Sequence, residues 1–270
     1  MPILNKDMTL CISLSGRPSN IGTRFHNYLY EELGLNFIYK AFSTEDLAGA
    51  IAGVRALGIR GCSVSMPFKE DVMALVDTIE SSAAAIDSVN TIVNTDGRLS
   101  ASNTDFEAIA TLIQRHELDP SHAVIVRGSG GMAKAVVAAF REAGFENLTV
   151  LARNAAAGGA LAQKYGYFFT AVDPEPDHQI LVNVTPLGMD GAQAATQSFS
   201  DAQIAAAETV FDVVAFPSET PLVAAGRKQG KQVITGAEVI ALQAAAQFEK
   251  YTGHALSADQ VARASEFSRL

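Results

Sequence analysis

The chain reads as an α/β protein of two domains, an N-terminal, mainly parallel α/β domain followed by a Rossmann-like dinucleotide-binding domain. Three observations predict it. Short β-rich runs alternate with helical patterns along most of the 270 residues. A turn-like break, "DPSH", divides that alternation into two series. The second series opens on glycines set between an apolar strand and an alanine-rich helix. Strand, helix, strand repetition implies parallel pairing through crossovers.

In the first series, "LCISLS" (10–15), "NFIYKAF" (36–42), "RGCSVSM" (60–66) and "VNTIVN" (89–94) read as strands. Between them, "TRFHNYLYEEL", "TEDLAGAIAGVRAL" and "KEDVMALVDTI" read as helices, and Leu47, Ile51, Val54 and Leu57 form one apolar face of the second. Pro67 ends the third strand and begins the next helix, where its missing N–H costs nothing. A further helix, "SNTDFEAIATLIQRHEL", precedes the break. In the second series, "AVIVR", "LTVLAR" (148–153), "ILVNVT" (180–185), "TVFDVVA" (209–215) and "QVITG" (232–236) are the strands. The expected boundaries are 1–104 for a substrate-binding, catalytic domain and 105–236 for the cofactor domain, with helices over 237–270 packing back on the first.

Composition narrows the function. Hydrophobic content of 48% with 18% charged residues fits a globular enzyme. A net charge of −9 argues against nucleic acid or an anionic membrane as partner, since both need a basic patch. Cys11 and Cys62 sit in apolar runs without metal-ligand spacing, so no metal is expected. No segment has a signal-peptide pattern or approaches eighteen consecutive apolar residues, so a cytoplasmic protein is expected.

The glycine-rich turn "GSGGMA" runs through Gly128, Ser129, Gly130, Gly131, Met132 and Ala133. It would aim helix N-terminal N–H groups at a pyrophosphate that must come close to the backbone. The third position of the dinucleotide fingerprint is Ala133, a permitted variant. At the end of the next strand an NAD site would carry an acid, and this chain has Arg153, whose planar donor fork suits a 2′-phosphate. NADP is therefore the expected cofactor, with NAD as the alternative.

Polar motifs gather where the strands of the first series end: "SVSMPFKE" (63–70), "SVNTIV" (88–93) and "SNTDF" (102–106). Ligands of α/β folds collect at such carboxyl ends. Lys69 is a poor choice for the first turn of a helix, where its charge opposes the dipole. Asp105 reads either as a helix cap or as the carboxylate that orients Lys69. A lysine paired with a carboxylate can take the proton of an alcohol as its hydride leaves.

These motifs resemble the shikimate dehydrogenase family, and the resemblance covers nearly the whole chain. It implies Lys69 as the catalytic lysine, Asp105 as its partner, and Ser65, Asn90 and Gln243 as substrate contacts. It carries the cofactor turn onto "GSGG", a phosphate-binding triplet onto "ARN" with Arg153 and Asn154, and a cofactor contact onto Thr185 in "NVTPLGM" and onto Gly236. Several positions depart from the family. Where its Ser-x-Ser element holds the substrate carboxylate, this chain has Asn20 and Gly22, with Ser13, Ser15, Ser19 and Thr23 as candidate replacements. Ala215 stands in place of a substrate-site tyrosine, and Ala152 and Asn154 alter the triplet. The pattern is similar to a divergent, shikimate dehydrogenase-like branch. It implies NADP-dependent oxidation of shikimate within the chorismate route of aromatic amino acid biosynthesis. The alternatives are quinate, another cyclic hydroxy acid, or a catalytically weak NAD(P)-binding regulator, in a monomer or homodimer.

Overall fold

The computed structural model describes residues 4–269. The chain forms two compact α/β units, one comprising residues up to Thr104 and again from Ala241, the other Asp105–Ile240.

The first unit carries β1 (Thr9–Leu14), α1 (Ile21–Glu32), β2 (Phe37–Phe42), α2 (Leu47–Ala56), β3 (Gly61–Val64), a 3-10 turn at Asp71–Leu75, β4 (Thr78–Ile79), α3 (Ser81–Ala84), β5 (Thr91–Thr95) and β6 (Arg98–Ser102). Its sheet has the order β2-β1-β3-β5-β6-β4. Parallel pairing holds for β2, β1 and β3, but β5 runs antiparallel to both β3 and β6. Expectation and structure differ here because no crossover helix forms after Lys69. The stretch "KEDVMALVDTI" yields only the five-residue 3-10 turn before the chain extends into β4. Asp77 explains why: its N–H donates to the Leu99 carbonyl at 3.0 Å, and its Oδ2 accepts from Leu99 N at 2.7 Å and from Arg55 Nη1 at 2.6 Å. These bonds to β6 outweigh the local helical pattern. The hairpin between β5 and β6 turns on Asp96 and Gly97, both at positive φ, with Gly97 N donating to Asn94 Oδ1 at 2.9 Å.

Two smaller expectations also change. The apolar face of α2 ends at Val54, because Gly58 at φ +65° stops the helix and leaves Leu57 78% exposed. Ile59 N donates to Val54 O, Gly58 N donates to Arg55 O, and Ile59 is buried in place of Leu57. Pro67 does not open a helix: it follows a cis peptide at Met66, and residues 66–70 are a turn.

The second unit continues α4 (Thr104–Arg115) and carries β7 (Val124–Arg127), α5 (Gly131–Glu142), β8 (Leu148–Leu151), α6 (Ala155–Tyr165), β9 (Phe168–Thr170), β10 (Ile180–Asn183), α7 (Asp201–Ala206), β11 (Thr209–Asp212), α8 (Pro221–Lys228) and β12 (Gln232–Thr235). All its pairs are parallel, in the order β12-β11-β10-β7-β8-β9. Counted along the unit this is 3-2-1-4-5-6 read from its β9 edge, the doubly wound arrangement, whose order reverses between β7 and β10. Val124, Ile125 and Val126 of β7 are almost fully buried, as a central parallel strand covered on both faces requires. α9 (Gly236–Thr252) starts in this unit and returns the chain to the first, which α10 (Ala258–Ser268) completes.

The core of the first unit holds an ionisable ring. His26 of α1 is 1% exposed and stacks on Tyr39 at 4.4 Å, with Phe248 and Tyr251 close by. Burial pulls its basicity down to about 3, against the opposing effect of a hydrogen bond with Gln247. The unfolded chain therefore takes up a proton near pH 6.5 that the folded chain refuses until about pH 3. Stability should be lost as pH falls through that window, by up to about 1.4 kcal/mol per pH unit from this group. Thermal melts of wild type and His26→Phe should show a wild-type advantage that shrinks toward acid pH. A gap that stays constant from pH 7 to 4 would remove His26 from the acid response.

Candidate active site

The polar motifs of the first unit are tied together by short-range bonds. Ser65 N donates to Leu14 O at 2.9 Å, Phe68 N donates to Ser65 O at 3.0 Å, and Gly16 N donates to Met66 O at 3.0 Å. The turn bearing Lys69 is thus pinned to the end of β1. Its carbonyl accepts from Val89 N at 2.8 Å, which sets the turn directly beside Asn90. Lys69 itself is half-buried and lies in this turn, not in a helix, so the dipole argument from sequence does not apply to it.

Asn90 is 3% exposed and is the hub. Its Oδ1 accepts from Thr104 N at 2.8 Å, from Thr91 Oγ1 at 2.8 Å and from Thr104 Oγ1 at 3.1 Å. A backbone N–H can only donate, so the amide orientation is settled, and Nδ2 remains as the donor end. Thr104 N is one of the four N–H groups at a helix start that lack an intrahelical acceptor, and Asn90 supplies it from the position just before β5. Asp105 follows inside the first turn of α4, where a carboxylate suits the dipole, and so is not the helix cap. Gln243 Nε2 donates to Thr104 Oγ1 at 3.3 Å. The structure therefore gathers Lys69, Asn90, Gln243 and the residue preceding Asp105.

The remaining substrate candidates are more scattered. Ser65 is exposed at the end of β3. Asn20 is exposed before α1, and its side chain makes no capping bond. Thr23 lies in the first turn of α1 with its hydroxyl buried and without a hydrogen-bond partner. Ser15 is buried, its hydroxyl accepting from Arg17 N at 3.1 Å.

In the second unit the glycine turn follows β7 at the point where strand order reverses. Gly128 has φ +129°, and a Cβ there would meet Val184 Cγ2 at 2.7 Å, so the turn itself demands glycine. Gly130 and Gly131 have no atom within 4 Å of a Cβ position. Protein packing does not require glycine at either, whereas a close ligand would. Ser129 and Met132 are half-buried and Ala133 fully buried, with α5 starting at Gly131. Arg153 and Asn154 are exposed at the end of β8, with Asn154 Oδ1 accepting from Ala157 N at 3.1 Å as the cap of α6. Thr185 donates to Asn183 Oδ1 from its hydroxyl at 2.6 Å and from its N–H at 3.1 Å. A Cβ at Gly236 would lie 2.3 Å from Val214 O, so close packing at the start of α9 accounts for that glycine.

Sequence reasoning missed three groups. Asp212, fully buried in the "FDVVAF" segment, accepts from Asn183 Nδ2 at 3.0 Å, Thr220 Oγ1 at 2.7 Å and Val214 N at 3.1 Å, and locks the ends of β10 and β11 to the start of α8. Burial pushes its carboxyl above the usual range despite those three donors. The others are Thr91 and Gln247, and the four-residue spacing of Gln243 and Gln247 on one face of α9 was the available signal. Among the described residues, no cluster of three or more His, Cys, Asp or Glu side chains could hold a metal, and no helix is long and apolar enough to cross a membrane.

Comparison with known proteins agrees with this architecture. Residues 20–92 match the family model for the shikimate dehydrogenase substrate binding domain. A shikimate dehydrogenase-like protein of Haemophilus influenzae is 56% identical over 268 residues, covering 99% of each chain. The solved structure of a shikimate 5-dehydrogenase-like protein matches with a TM-score of 0.97 at 55% identity, over 99% of this chain and 100% of that one. A Thermus thermophilus shikimate 5-dehydrogenase, solved in complex with NADP(H) and shikimate, matches with a TM-score of 0.85 at 27% identity, over 97% and 100% of the two chains. With the fold matched throughout and identity of this degree over both chains, the protein belongs to the shikimate dehydrogenase-like family.

Proposed function

We propose that the protein is an NADP-dependent oxidoreductase that interconverts a ring alcohol and a ketone of shikimate or a closely related cyclic hydroxy acid. The arrangement around Asn90 carries this reading: one buried amide holds the start of α4, with Asp105 as its second residue, beside the turn that bears Lys69. NADP, when bound, supplies the hydride acceptor. Lys69 takes the hydroxyl proton on Nζ as the C–H bond is lost and returns it in the reverse direction. Asp105 orients that ammonium. Asn90 Nδ2, Gln243 and Ser65 hold the ring, and Asn20 and Thr23 lie on the segment that faces the family's carboxylate-binding role. Positioning and proton transfer together supply most of the acceleration.

The cofactor end of the reading rests on Gly128 to Ala133, with Arg153 on a 2′-phosphate and Asn154, Thr185 and Gly236 shaping the surrounding loops. The open space around Gly130 and Gly131 supports it. Gly130→Ala should keep its melting temperature, since φ is −84° and its Cβ meets no protein atom, yet raise the KM for NADP about tenfold or more by keeping the pyrophosphate off the backbone. Gly128→Ala should instead lower the melting temperature. A Gly130→Ala variant with unchanged KM for NADP would detach the turn from cofactor binding.

Initial rates of NADPH or NADH formation with shikimate and with quinate test the assignment. The expected result is turnover with NADP exceeding that with NAD, on at least one of the two acids. Tight NADP binding without turnover of either would instead mark a nucleotide-binding regulator.

A further inference from the structure

Gln247 has no assigned part in the reaction, yet it is 4% exposed and sits behind the Asn90 hub. Its Nε2 lies 2.9 Å from Thr91 Oγ1, 3.3 Å from Ser63 Oγ and 3.3 Å from the Asn90 carbonyl oxygen. The carbonyl is acceptor-only, so the amide nitrogen faces this side and donates. The Thr91 hydroxyl, accepting from Gln247, has its own proton left for Asn90 Oδ1 at 2.8 Å. A parallel line starts one turn earlier on α9: Gln243 Nε2 donates to Thr104 Oγ1 at 3.3 Å, and that hydroxyl donates to the same Asn90 Oδ1 at 3.1 Å.

From this directional pattern we propose that Gln247 is a positioning residue, which fixes the Thr91 hydroxyl and through it holds the Asn90 amide with Nδ2 presented to the substrate. Two glutamines on one helix face thus feed two threonine hydroxyls, and both deliver to one oxygen. At its core end Gln247 meets His26, whose ring burial keeps neutral against the opposing effect of their interaction. The inference rests on the proposed role of Asn90 as a substrate contact.

The test is a double-mutant cycle with shikimate as the substrate. Gln247→Met, which keeps the volume and removes the donor, should raise the KM for shikimate about fivefold, the worth of one lost hydrogen bond, and leave the KM for NADP unchanged. Thr91→Val should raise it by a similar factor. Because both act on the same line, Gln247→Met added to Thr91→Val should cost nothing further. Additive effects, or a lowered melting temperature with an unchanged KM for shikimate, would overturn the proposal. A crystal structure of Gln247→Met, or of Thr91→Val if the first does not fold, decides the placement without any substrate. A displaced Asn90 amide is expected, and an unmoved Asn90 amide in either variant overturns the relay. Absence of shikimate turnover in wild type combined with such a displacement would remove the catalytic reading while leaving the relay standing.

Discussion

Lys69→Ala should lower turnover by about a hundred- to ten-thousandfold, the range that general acid and base groups contribute, while the KM for NADP stays near the wild-type value. The turn that carries it is closed by backbone bonds. The Lys69 carbonyl accepts from Val89 N, and the turn is closed by Phe68 N on Ser65 O and Val72 N on Phe68 O, none of which involves the side chain. The variant should therefore melt near wild type. Lys69→Ala with wild-type turnover would exclude the lysine as the proton acceptor, and a large fall in melting temperature would assign it a structural part.

Asn90→Ala should lose both stability and activity, and the comparison with Asn90→Asp separates the two. Alanine leaves Thr104 N, Thr104 Oγ1 and Thr91 Oγ1 without their shared acceptor in a buried place. A buried donor left unsatisfied costs about 1–3 kcal/mol, so unfolding by heat should come several degrees earlier. The first N–H of α4 also loses its acceptor, which loosens the turn that carries Asp105. Aspartate retains an oxygen for all three donors and loses only Nδ2. Asn90→Asp should accordingly melt closer to wild type than Asn90→Ala does, yet show a KM for the hydroxy acid raised about tenfold or more, since the N–H donor that Nδ2 offers the substrate is lost. Equal KM values for wild type and Asn90→Asp would take Nδ2 out of substrate binding.

The second unit was the more legible of the two. Val124, Ile125 and Val126, followed after Arg127 by "GSGG", announce a parallel, doubly wound sheet because the middle of a central strand buried on both faces must be apolar and the turn after it must be small. The first unit hid its antiparallel half. Val72, Leu75 and Val76 mimic a helical spacing, but Asp77 and Glu80 bond to Leu99 and Ala101 of β6, and those contacts are invisible in a local pattern. The dipeptide Asp96-Gly97 was a usable hairpin signal. At the site, Lys69, Asn90, Asp105 and Gln243 could be picked out as polar residues at strand ends and through family resemblance. Gln247 was signalled only by its four-residue spacing from Gln243, because its importance lies in which donors face which acceptors. Nor could sequence foresee that Asn154 caps α6 or that Gly236 is demanded by Val214, structural roles that coexist with the cofactor contacts proposed for them.

Label transfer tests the central claim most directly. Shikimate deuterated at its ring carbinol carbons, incubated with the wild-type protein and NADP, should give NADPH that carries deuterium on the nicotinamide ring, with a rate lower than that of the unlabelled acid. The same incubation with Lys69→Ala should transfer little label. Unlabelled NADPH, or label transfer that is equally fast without Lys69, would contradict hydride transfer from a ring alcohol with Lys69 as its proton acceptor.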